Sequence, residues 1–259
     1  SAKQIPSDAI VAISRLRALG IPVILATGRT LRSAAPYARV LCLDTPIIAH
    51  AGAYVATLQN EAPWREIRID CKVAAQLLHC LEQRDYYIKV YVGDHLFVQQ
   101  ATQETVQFSE QYHVPYTAVG IKNLSIAKFE PHKITIIDSP TRIKQALQLL
   151  KPWRNSCEVI HDSASGLEIV ASGVSKGSAL AYLCDSFKIP LSSVMAFGNE
   201  GNDIEMIRLA GIGVAMANSY ERLKEVADIV TTSNDESGVA AILNTYILQP
   251  SVNGESGEK

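Results

Sequence analysis

The chain has 259 residues, of which 47% are apolar and 19% charged, and its 24 Lys and Arg against 26 Asp and Glu give a formal net charge of −2. These values are typical of a soluble globular protein of one or two domains, and they exclude a disordered chain, a collagen-like chain and a disulfide scaffold. Because no run of five like charges occurs, we expect no nucleic-acid partner and no docking on anionic lipid.

The cysteine and histidine patterns do not indicate a metal or disulfide centre. The five cysteines are scattered and contain no C-x-x-C pair, which favours a cytoplasmic protein with free thiols. The six histidines lack an H-x-x-x-H spacing, so structural roles are expected for them. No apolar stretch approaches the roughly 20 residues that span a bilayer, so no membrane partner is predicted.

The first predicted elements alternate between helix and strand. Ser7 and Asp8 begin an amphipathic helix that ends at Gly20, because a cap and an acidic first turn favour its start and a glycine its end. The apolar run Pro22–Thr27 predicts a buried parallel strand. A helix from about Leu31 to Leu41 and a strand at Ile47–His50 continue the alternation.

The pattern changes between about Asp70 and Cys157. The elements predicted there are helices around Val73–Leu81 and Thr141–Leu150, and alternating strands at Tyr87–Val92 and Lys133–Ile137. Long amphipathic helices together with half-buried strands favour an α+β domain with antiparallel pairing. Residues 70–159 are therefore predicted to form an inserted α+β domain.

The C-terminal third returns to the alternation of the first part. Its predicted elements are a helix at Ser175–Phe187, a strand at Val194–Phe197, a helix after Asp203, and strands near Ile212–Val214 and Ile229–Thr231. Alternating helices and strands predict an α/β fold with a doubly wound, mostly parallel sheet. Residues 1–69 and 160–259 would form this core, Ser163–Gly166 would return the chain to it, and the tail 249–259 is expected to be disordered.

In open α/β sheets ligands bind beyond the carboxyl ends of the strands, so residues that follow predicted strands are the candidates for a site. The first candidate is Thr27-Gly28, where a hydroxyl and a flexible glycine before a helix are suited to hydrogen-bond a phosphate. An ordinary strand-to-helix turn would explain the same residues. Arg29, next in the sequence, is expected to form a salt bridge.

Two further candidates lie in the C-terminal third. Lys176 falls in the first turn of a predicted helix, where the helix dipole disfavours a cation, so it needs either an anionic partner or solvent exposure. The segment 198–203 holds two amides and two acids after a strand. Helix capping by Asn202 or Asp203 would explain some of these side-chain oxygens. Coordination of a hard cation such as Mg²⁺ would use all of them.

In this order and spacing, the three segments resemble the haloacid dehalogenase (HAD) superfamily of phosphatases, in the Cof-like branch with a large cap inserted after the second motif. Thr27-Gly28 resembles the second motif, Lys176 the third and Gly198–Asp203 the fourth. Gly213–Met216 and Ser233–Val239 resemble further segments of that branch. The resemblance covers nearly the whole chain and implies a HAD-type Rossmann-like core with an inserted α+β cap.

The resemblance implies a Mg²⁺-dependent phosphatase that hydrolyses a small phosphorylated metabolite, such as a sugar phosphate or a cofactor precursor, through an aspartyl-phosphate intermediate. In that chemistry Thr27 and the Gly28 amide would hold the transferring phosphoryl group, and Lys176 would bridge it to the nucleophile. Asn202 would help to bind phosphate, while Asn199 and Asp203 would reach the metal. The protein is expected to be a monomer or a homodimer.

Two features depart from the family pattern. The family begins with an apolar strand that ends in D-x-D-G and supplies the nucleophile, yet the 259 residues contain no D-x-D. We therefore expect this chain to be inactive by itself and to be part of a longer polypeptide. Between Val23–Ala26 and Val194–Phe197 we expect a gap that is wider than normal strand pairing by one strand, about 5 Å. Asn199 stands where the commonest family residue is Asp, which removes a negative charge from the metal site.

Two other functions fit the same residues. A non-catalytic protein that binds phosphorylated metabolites is favoured by Asn199 and by the missing nucleophile. Retention of Thr27, Lys176, Asn202 and Asp203 argues against it, because a site without chemistry has little need of all four. A phosphomannomutase-like phosphotransferase is the other function, because it would use similar catalytic and phosphate-binding residues.

Overall fold

In a computed structural model, the chain is described over residues 4–60, 62–163 and 165–248. The helices are α1 (Ser7–Ala18), α2 (Leu31–Val40), α3 (Cys71–Glu82), α4 (Gln103–Tyr112), α5 (Pro140–Leu149), α6 (Lys176–Phe187), α7 (Ile204–Leu209), α8 (Glu221–Lys224) and α9 (Gly238–Leu243). The strands are β1 (Ile47–Ala49), β2 (Tyr54–Ala56), β3 (Arg65–Glu66), β4 (Tyr87–Val92), β5 (His95–Val98), β6 (Tyr116–Ala118), β7 (Lys133–Ile137), β8 (Cys157–Ser163), β9 (Gly166–Ala171), β10 (Met195–Gly198), β11 (Ile212–Ala215) and β12 (Ile229–Val230).

The tail predicted to be disordered, residues 249–259, lies outside the described residues. Within the described ranges, every helix is too short or too polar to cross a lipid bilayer.

The larger sheet has six strands in the order β6-β5-β4-β7-β9-β8. Neighbouring strands pair antiparallel, as predicted for the inserted segment, except that β5 and β6 are parallel. Strands β4 and β7 have the bounds that their alternating residues predict. Their apolar face contributes to one buried cluster with helices α3 and α5; it includes Ile88, Val90, Ile134, Ile136, Leu77, Leu81 and Ile143.

The prediction that Ser163–Gly166 returns the chain to the core is wrong. Ser163 pairs with Gly166, so β8 and β9 pair antiparallel as the two strands of a hairpin, and both belong to the six-stranded sheet. Leu167 and Ile169 on β9 are fully buried in the cluster beneath that sheet, and this burial favours the pairing. The proposed boundary between insert and core at residues 159 and 160 therefore falls within the hairpin.

The remaining strands form two small sheets. Strands β10, β11 and β12 pair in parallel, whereas β1, β2 and β3 pair antiparallel. The apolar run predicted as a strand at Pro22–Thr27 runs beside β1 with a single parallel bridge, between Ala26 and Ile48. Backbone hydrogen bonds join Ile48 N to Leu25 O at 2.9 Å and Thr27 N to Ile48 O at 2.8 Å.

Segment Val23–Ala26 and strand β10 border the same core without being paired. In the described part of the chain, no backbone hydrogen bond joins them. Their side chains contribute to the same two apolar clusters: Val23, Leu25, Met195 and Phe197 in one, and Ile24, Ala26 and Ala196 in the other. This arrangement agrees with the expected gap, and its filling by a D-x-D-G strand stays a prediction.

Gly52 determines how the start of α6 packs against the turn after β1. Its φ is +107°, and a Cβ built there would lie 2.1 Å from the carbonyl oxygen of Ser175. No other residue fits this contact without moving the backbone. Because Lys176 is the first residue of α6, Gly52 helps to set the position of a predicted site residue.

Candidate functional site

Lys176 lies buried at the start of α6. Ser175 caps this helix: its Oγ accepts from Ser178 N at 2.8 Å, and Ser178 Oγ accepts from Ser175 N at 3.1 Å. The Lys176 side chain is 6% exposed, and its Nζ donates to Asn202 Oδ1 and to Asp203 Oδ1, each at 2.7 Å. Of the two alternatives for this lysine, the anionic partner is observed and solvent exposure is wrong.

Asp203 organises the loop between β10 and α7. Its Oδ2 accepts from the backbone N–H groups of Asn199 and Glu200, at 2.9 and 3.1 Å. A Cβ on Gly198 would lie 2.5 Å from the Cβ of Asp203, so the strand ends in a residue without a side chain. Asp203 therefore holds both the loop and Lys176, and it is nearly fully buried.

Asn199 is placed differently from Asn202. Its side chain is exposed and its Nδ2 donates to Glu200 Oε1 at 3.2 Å. Within the described residues, its side chain makes no hydrogen bond to Lys176 or Asp203. The structure thus brings together three of the predicted C-terminal site residues and leaves Asn199 at the rim.

The Thr27-Gly28 turn lies against the same cluster. Thr27 Oγ1 accepts from Arg29 N at 3.2 Å. A Cβ built on Gly28 would lie 3.6 Å from Asn202 Nδ2 and 3.1 Å from Glu168 Oε1. Three stretches that are far apart in sequence, around Gly28, Lys176 and Asn202, therefore converge on one place.

Two residues of the six-stranded sheet complete this cluster, and the sequence did not single them out as a pair. Lys133 on β7 and Glu168 on β9 are each 5% exposed and form an ion pair. Lys133 Nζ also donates to Gly28 O at 2.6 Å, and Glu168 Oε2 accepts from Asn202 Nδ2 at 3.0 Å. The pair therefore joins the inserted sheet to two loops of the candidate site.

The charge of Glu168 is maintained by its neighbours. Burial alone would raise the pKa of its carboxyl, but the ammonium of Lys133 and hydrogen bonds from Lys133 and Asn202 bring that pKa below its ordinary value. The hydrogen bonds run without interruption through Gly28, Lys133, Glu168, Asn202, Lys176 and Asp203. Such a network fixes the orientation of the Asn202 amide, because its oxygen and its nitrogen each have a partner.

Arg29 contacts aromatic rings, and the expected salt bridge is wrong within the described residues. Its guanidinium lies 5.0 Å from the ring centroid of Tyr37 on α2 and 4.5 Å from that of Tyr112 on α4. Cation–π contact and planar stacking suit arginine in this setting. Helix α4 thereby contacts the core beside the Thr27-Gly28 turn.

A buried histidine pair lies between the two parts of the molecule. His50 and His132 stack with ring centroids 5.0 Å apart, and each is at most 1% exposed. His132 Nε2 lies 2.8 Å from Glu66 Oε1, while His50 Nδ1 has no hydrogen-bond partner among the described residues. Burial lowers the pKa of both imidazoles. Both side chains are buried against each other, and the structural role expected for them stays a prediction.

The described residues do not by themselves fit a Mg²⁺ site. No group of three or more His, Cys, Asp or Glu side chains suited to a metal occurs in the part of the chain that the structure describes. Both oxygens of Asp203 already accept hydrogen bonds, one of them from an ammonium. Mg²⁺ favours several oxygen ligands with negative charge, and the two carboxylates of the cluster, Asp203 and Glu168, are each already paired with a lysine.

Comparisons with known proteins identify the family to which the chain is similar. A model of the haloacid dehalogenase-like hydrolase family matches residues 1–243. The stress response protein YhaX of Bacillus subtilis is 32% identical over 245 residues, which cover 91% of this chain and 84% of that protein. The 5-amino-6-(5-phospho-D-ribitylamino)uracil phosphatase YitU of the same organism is 27% identical over 250 residues, covering 94% and 92%.

A solved structure shows the same fold. It belongs to a sugar phosphatase of HAD subclass IIB and superposes with a TM-score of 0.80 at 25% identity, covering 95% of this chain and 93% of that one. The α/β core and the inserted α+β sheet of the present structure match the fold class that the sequence predicts. The chain belongs to the haloacid dehalogenase-like hydrolase family.

Proposed function

We propose that the protein hydrolyses a phosphomonoester of a small metabolite, and that the described residues form the phosphate-binding part of its active site. The observation that carries this proposal is the convergence of Gly28, Lys176 and Asn202. A buried ammonium, a side-chain amide and a glycine turn at one point are the groups that bind a phosphoryl dianion. The names of the relatives, which include phosphatases, support the same reaction class.

Each residue has a separate task in this proposal. Thr27 and the N–H of Gly28 donate to phosphoryl oxygens, and Asn202 presents its amide to them. Lys176 offsets negative charge on the phosphoryl group, while Asp203 holds Lys176 in place through the 2.7 Å contact. Glu168 and Lys133 orient Asn202 and the Gly28 turn.

The nucleophile is assigned to a carboxylate outside these 259 residues, because the sequence contains no D-x-D. That carboxylate would attack phosphorus, the alcohol would leave, and water would then hydrolyse the aspartyl-phosphate. We propose Mg²⁺ dependence for this longer polypeptide only, since its acidic motif would have to supply the ligands that the described residues lack. We propose sugar phosphates and ribityl-type cofactor precursors as substrates, because a sugar phosphatase and a 5-amino-6-(5-phospho-D-ribitylamino)uracil phosphatase are among the similar proteins.

A non-catalytic phosphometabolite-binding protein is the second candidate. It is favoured by the fact that no cluster of metal-binding side chains occurs in the described ranges. It predicts the same phosphate site without turnover in any longer form of the chain.

The two functions are separated by assaying phosphate release from a panel of phosphorylated metabolites with Mg²⁺. The 259-residue chain is compared with the same chain preceded by the residues that its in-frame upstream codons specify. We expect the longer form to release phosphate and the shorter form to leave p-nitrophenyl phosphate intact. Turnover by the shorter form would contradict the placement of the nucleophile, and an inactive longer form that still binds phosphate would favour the second candidate.

A further inference from the structure

A row of polar side chains leads from the phosphate cluster across the six-stranded sheet. Thr135 on β7 pairs with Glu168 on β9, and Lys89 on β4 pairs with Thr135. Residues paired in this way project from the same face of a sheet. Because Glu168 contacts Asn202, this is the face turned toward the candidate site.

Lys89 is buried without an acidic partner. It is 5% exposed, and in the described part of the chain no carboxylate oxygen lies within 4.0 Å of its Nζ. The ammonium lies 4.2 Å from the ring centroid of Phe108 and 5.7 Å from that of Tyr87. Burial lowers the pKa of this ammonium. The nearby negative charge of Glu104 raises that pKa, and the nearby positive charge of Lys133 lowers it. Aromatic rings offset only part of the cost of burying an ammonium.

Thr135 carries a second buried polar group that lacks a hydrogen-bond partner among the described residues. This group is the hydroxyl oxygen Oγ1. Buried hydroxyls are nearly always hydrogen-bonded, so an unpaired one requires an explanation. Thr135 lies between Glu168 and Lys89 in the row, so one ligand extending from the phosphate cluster would pass its hydroxyl before reaching the ammonium.

The strand spacing sets the length of such a ligand. Neighbouring strands lie about 4.8 Å apart, so Lys89 and Glu168, two strands apart, are separated by about 10 Å. A phosphorylated six-carbon chain spans a comparable distance when extended. The group at its far end would meet a cation.

We propose that Lys89 and Thr135 form a subsite for the leaving group of the substrate, with Lys89 binding a second anionic group and Thr135 a hydroxyl between the two charges. The inference rests on the proposed function, because the phosphoryl group must occupy the Gly28, Lys176 and Asn202 cluster. The substrate class is accordingly a phosphorylated polyhydroxy compound with a carboxylate or a second phosphate at its other end.

The test compares two ligands that differ at one carbon. Sorbitol 6-phosphate ends in a hydroxymethyl group and 6-phosphogluconate in a carboxylate, and both are titrated calorimetrically into the 259-residue chain, alongside inorganic phosphate. We expect 6-phosphogluconate to bind at least about tenfold more tightly than sorbitol 6-phosphate, as for a hydrogen bond between charged groups. Lys89→Met should abolish this preference, whereas Lys144→Met, an exposed lysine on α5, should retain it.

Three results would overturn the inference, and they are distinguishable from one another. Equal binding of the two sugar derivatives with intact phosphate binding would refute the anionic subsite and leave the proposed function standing. A preference that survives in both Lys89→Met and Lys89→Gln would show that a group other than Lys89 binds the carboxylate. Failure of inorganic phosphate to bind would refute the proposed function and the subsite with it.

Discussion

Lys133 and Glu168 form a buried ion pair between neighbouring strands of the inserted sheet, and each reaches a different loop of the phosphate cluster. Lys133 donates to the carbonyl of Gly28 at 2.6 Å, and Glu168 accepts from the amide of Asn202 at 3.0 Å. Both side chains are 6% exposed. The site and the inserted sheet are therefore coupled through two charges that stabilise each other away from water.

The first prediction concerns this pair. Lys133→Met or Glu168→Met alone leaves one uncompensated buried charge, and we expect each to lower the free energy of unfolding by about 3 to 5 kcal/mol. The double variant should lose no more unfolding free energy than the more destabilised single variant, because neither charge remains. Urea unfolding of all four proteins measures the coupling.

An exposed ion pair supplies the control for that cycle. Lys188 and Asp185 lie 3.2 Å apart with side chains 80% and 85% exposed, so their removal should cost less than about 1 kcal/mol. If the unfolding free energies lost in the Lys133 and Glu168 single variants add up in the double variant, the two charges do not interact as the structure indicates.

The second prediction concerns Gly52. Gly52→Ala places a Cβ at a φ of +107° and 2.1 Å from Ser175 O, so we expect it to destabilise the protein by about 3 kcal/mol, because strain and displacement of α6 add. Gly20→Ala is the matched control, since Gly20 has a φ of +76° with nothing within 4 Å, and it should cost about 1 kcal/mol. Equal losses in the two variants would show that the contact with Ser175 is unimportant.

The third prediction is a pH dependence. The folded protein holds His50 and His132 neutral, with pKa values below 6.5, whereas the unfolded chain takes up protons near pH 6.5. Their contribution to stability is therefore complete above pH 6.5 and declines as the pH falls toward the lower pKa values of the folded state. The loss approaches about 1.4 kcal/mol per pH unit for each histidine.

Chemical unfolding between pH 7.5 and 5.5 measures this slope. We expect a His50→Gln/His132→Gln double variant to show a flatter dependence than the wild type. His79→Gln, at an exposed position on α3, should retain the wild-type slope. An unchanged slope in the double variant would mean that other groups determine the dependence.

The fourth prediction concerns Asn199. Its side chain is exposed beside Glu200, so Asn199→Asp places two carboxylates at the rim of the cluster. We expect the Mg²⁺ affinity of the longer polypeptide, measured by calorimetry, to rise by roughly tenfold, because ligand charge governs binding of this ion. Asn218→Asp, an exposed amide elsewhere, should have no such effect. Equal gains in both variants would assign the change to general surface charge.

The regular elements are predictable from the sequence because their signals are local. The alternation within Tyr87–Val92 and Lys133–Ile137 predicts both strands with the bounds that the structure has. The cap at Ser175 similarly predicts the start of α6. Convergence of the Gly28, Lys176 and Asn202 segments follows from the rule that strand ends meet at one edge of a sheet.

Pairing between distant segments was harder to predict. The run Pro22–Thr27 has the composition of a strand, yet in the described residues it pairs only with β1, through a single bridge between Ala26 and Ile48. The placement of β9 in the larger sheet depends on burial of Leu167 and Ile169, which alternation alone does not reveal. The polar residues Lys133 and Thr135 did alternate on one face, a signal that would have indicated a polar surface toward the site.

The most direct test of the central claim is a titration of the 259-residue chain with inorganic phosphate, followed by amide chemical shifts in ¹H–¹⁵N spectra. The account predicts that the amides of Gly28, Lys176 and Asn202 shift together with one dissociation constant. Shifts confined to one of these segments, or separate constants for the three, would contradict a shared phosphate site.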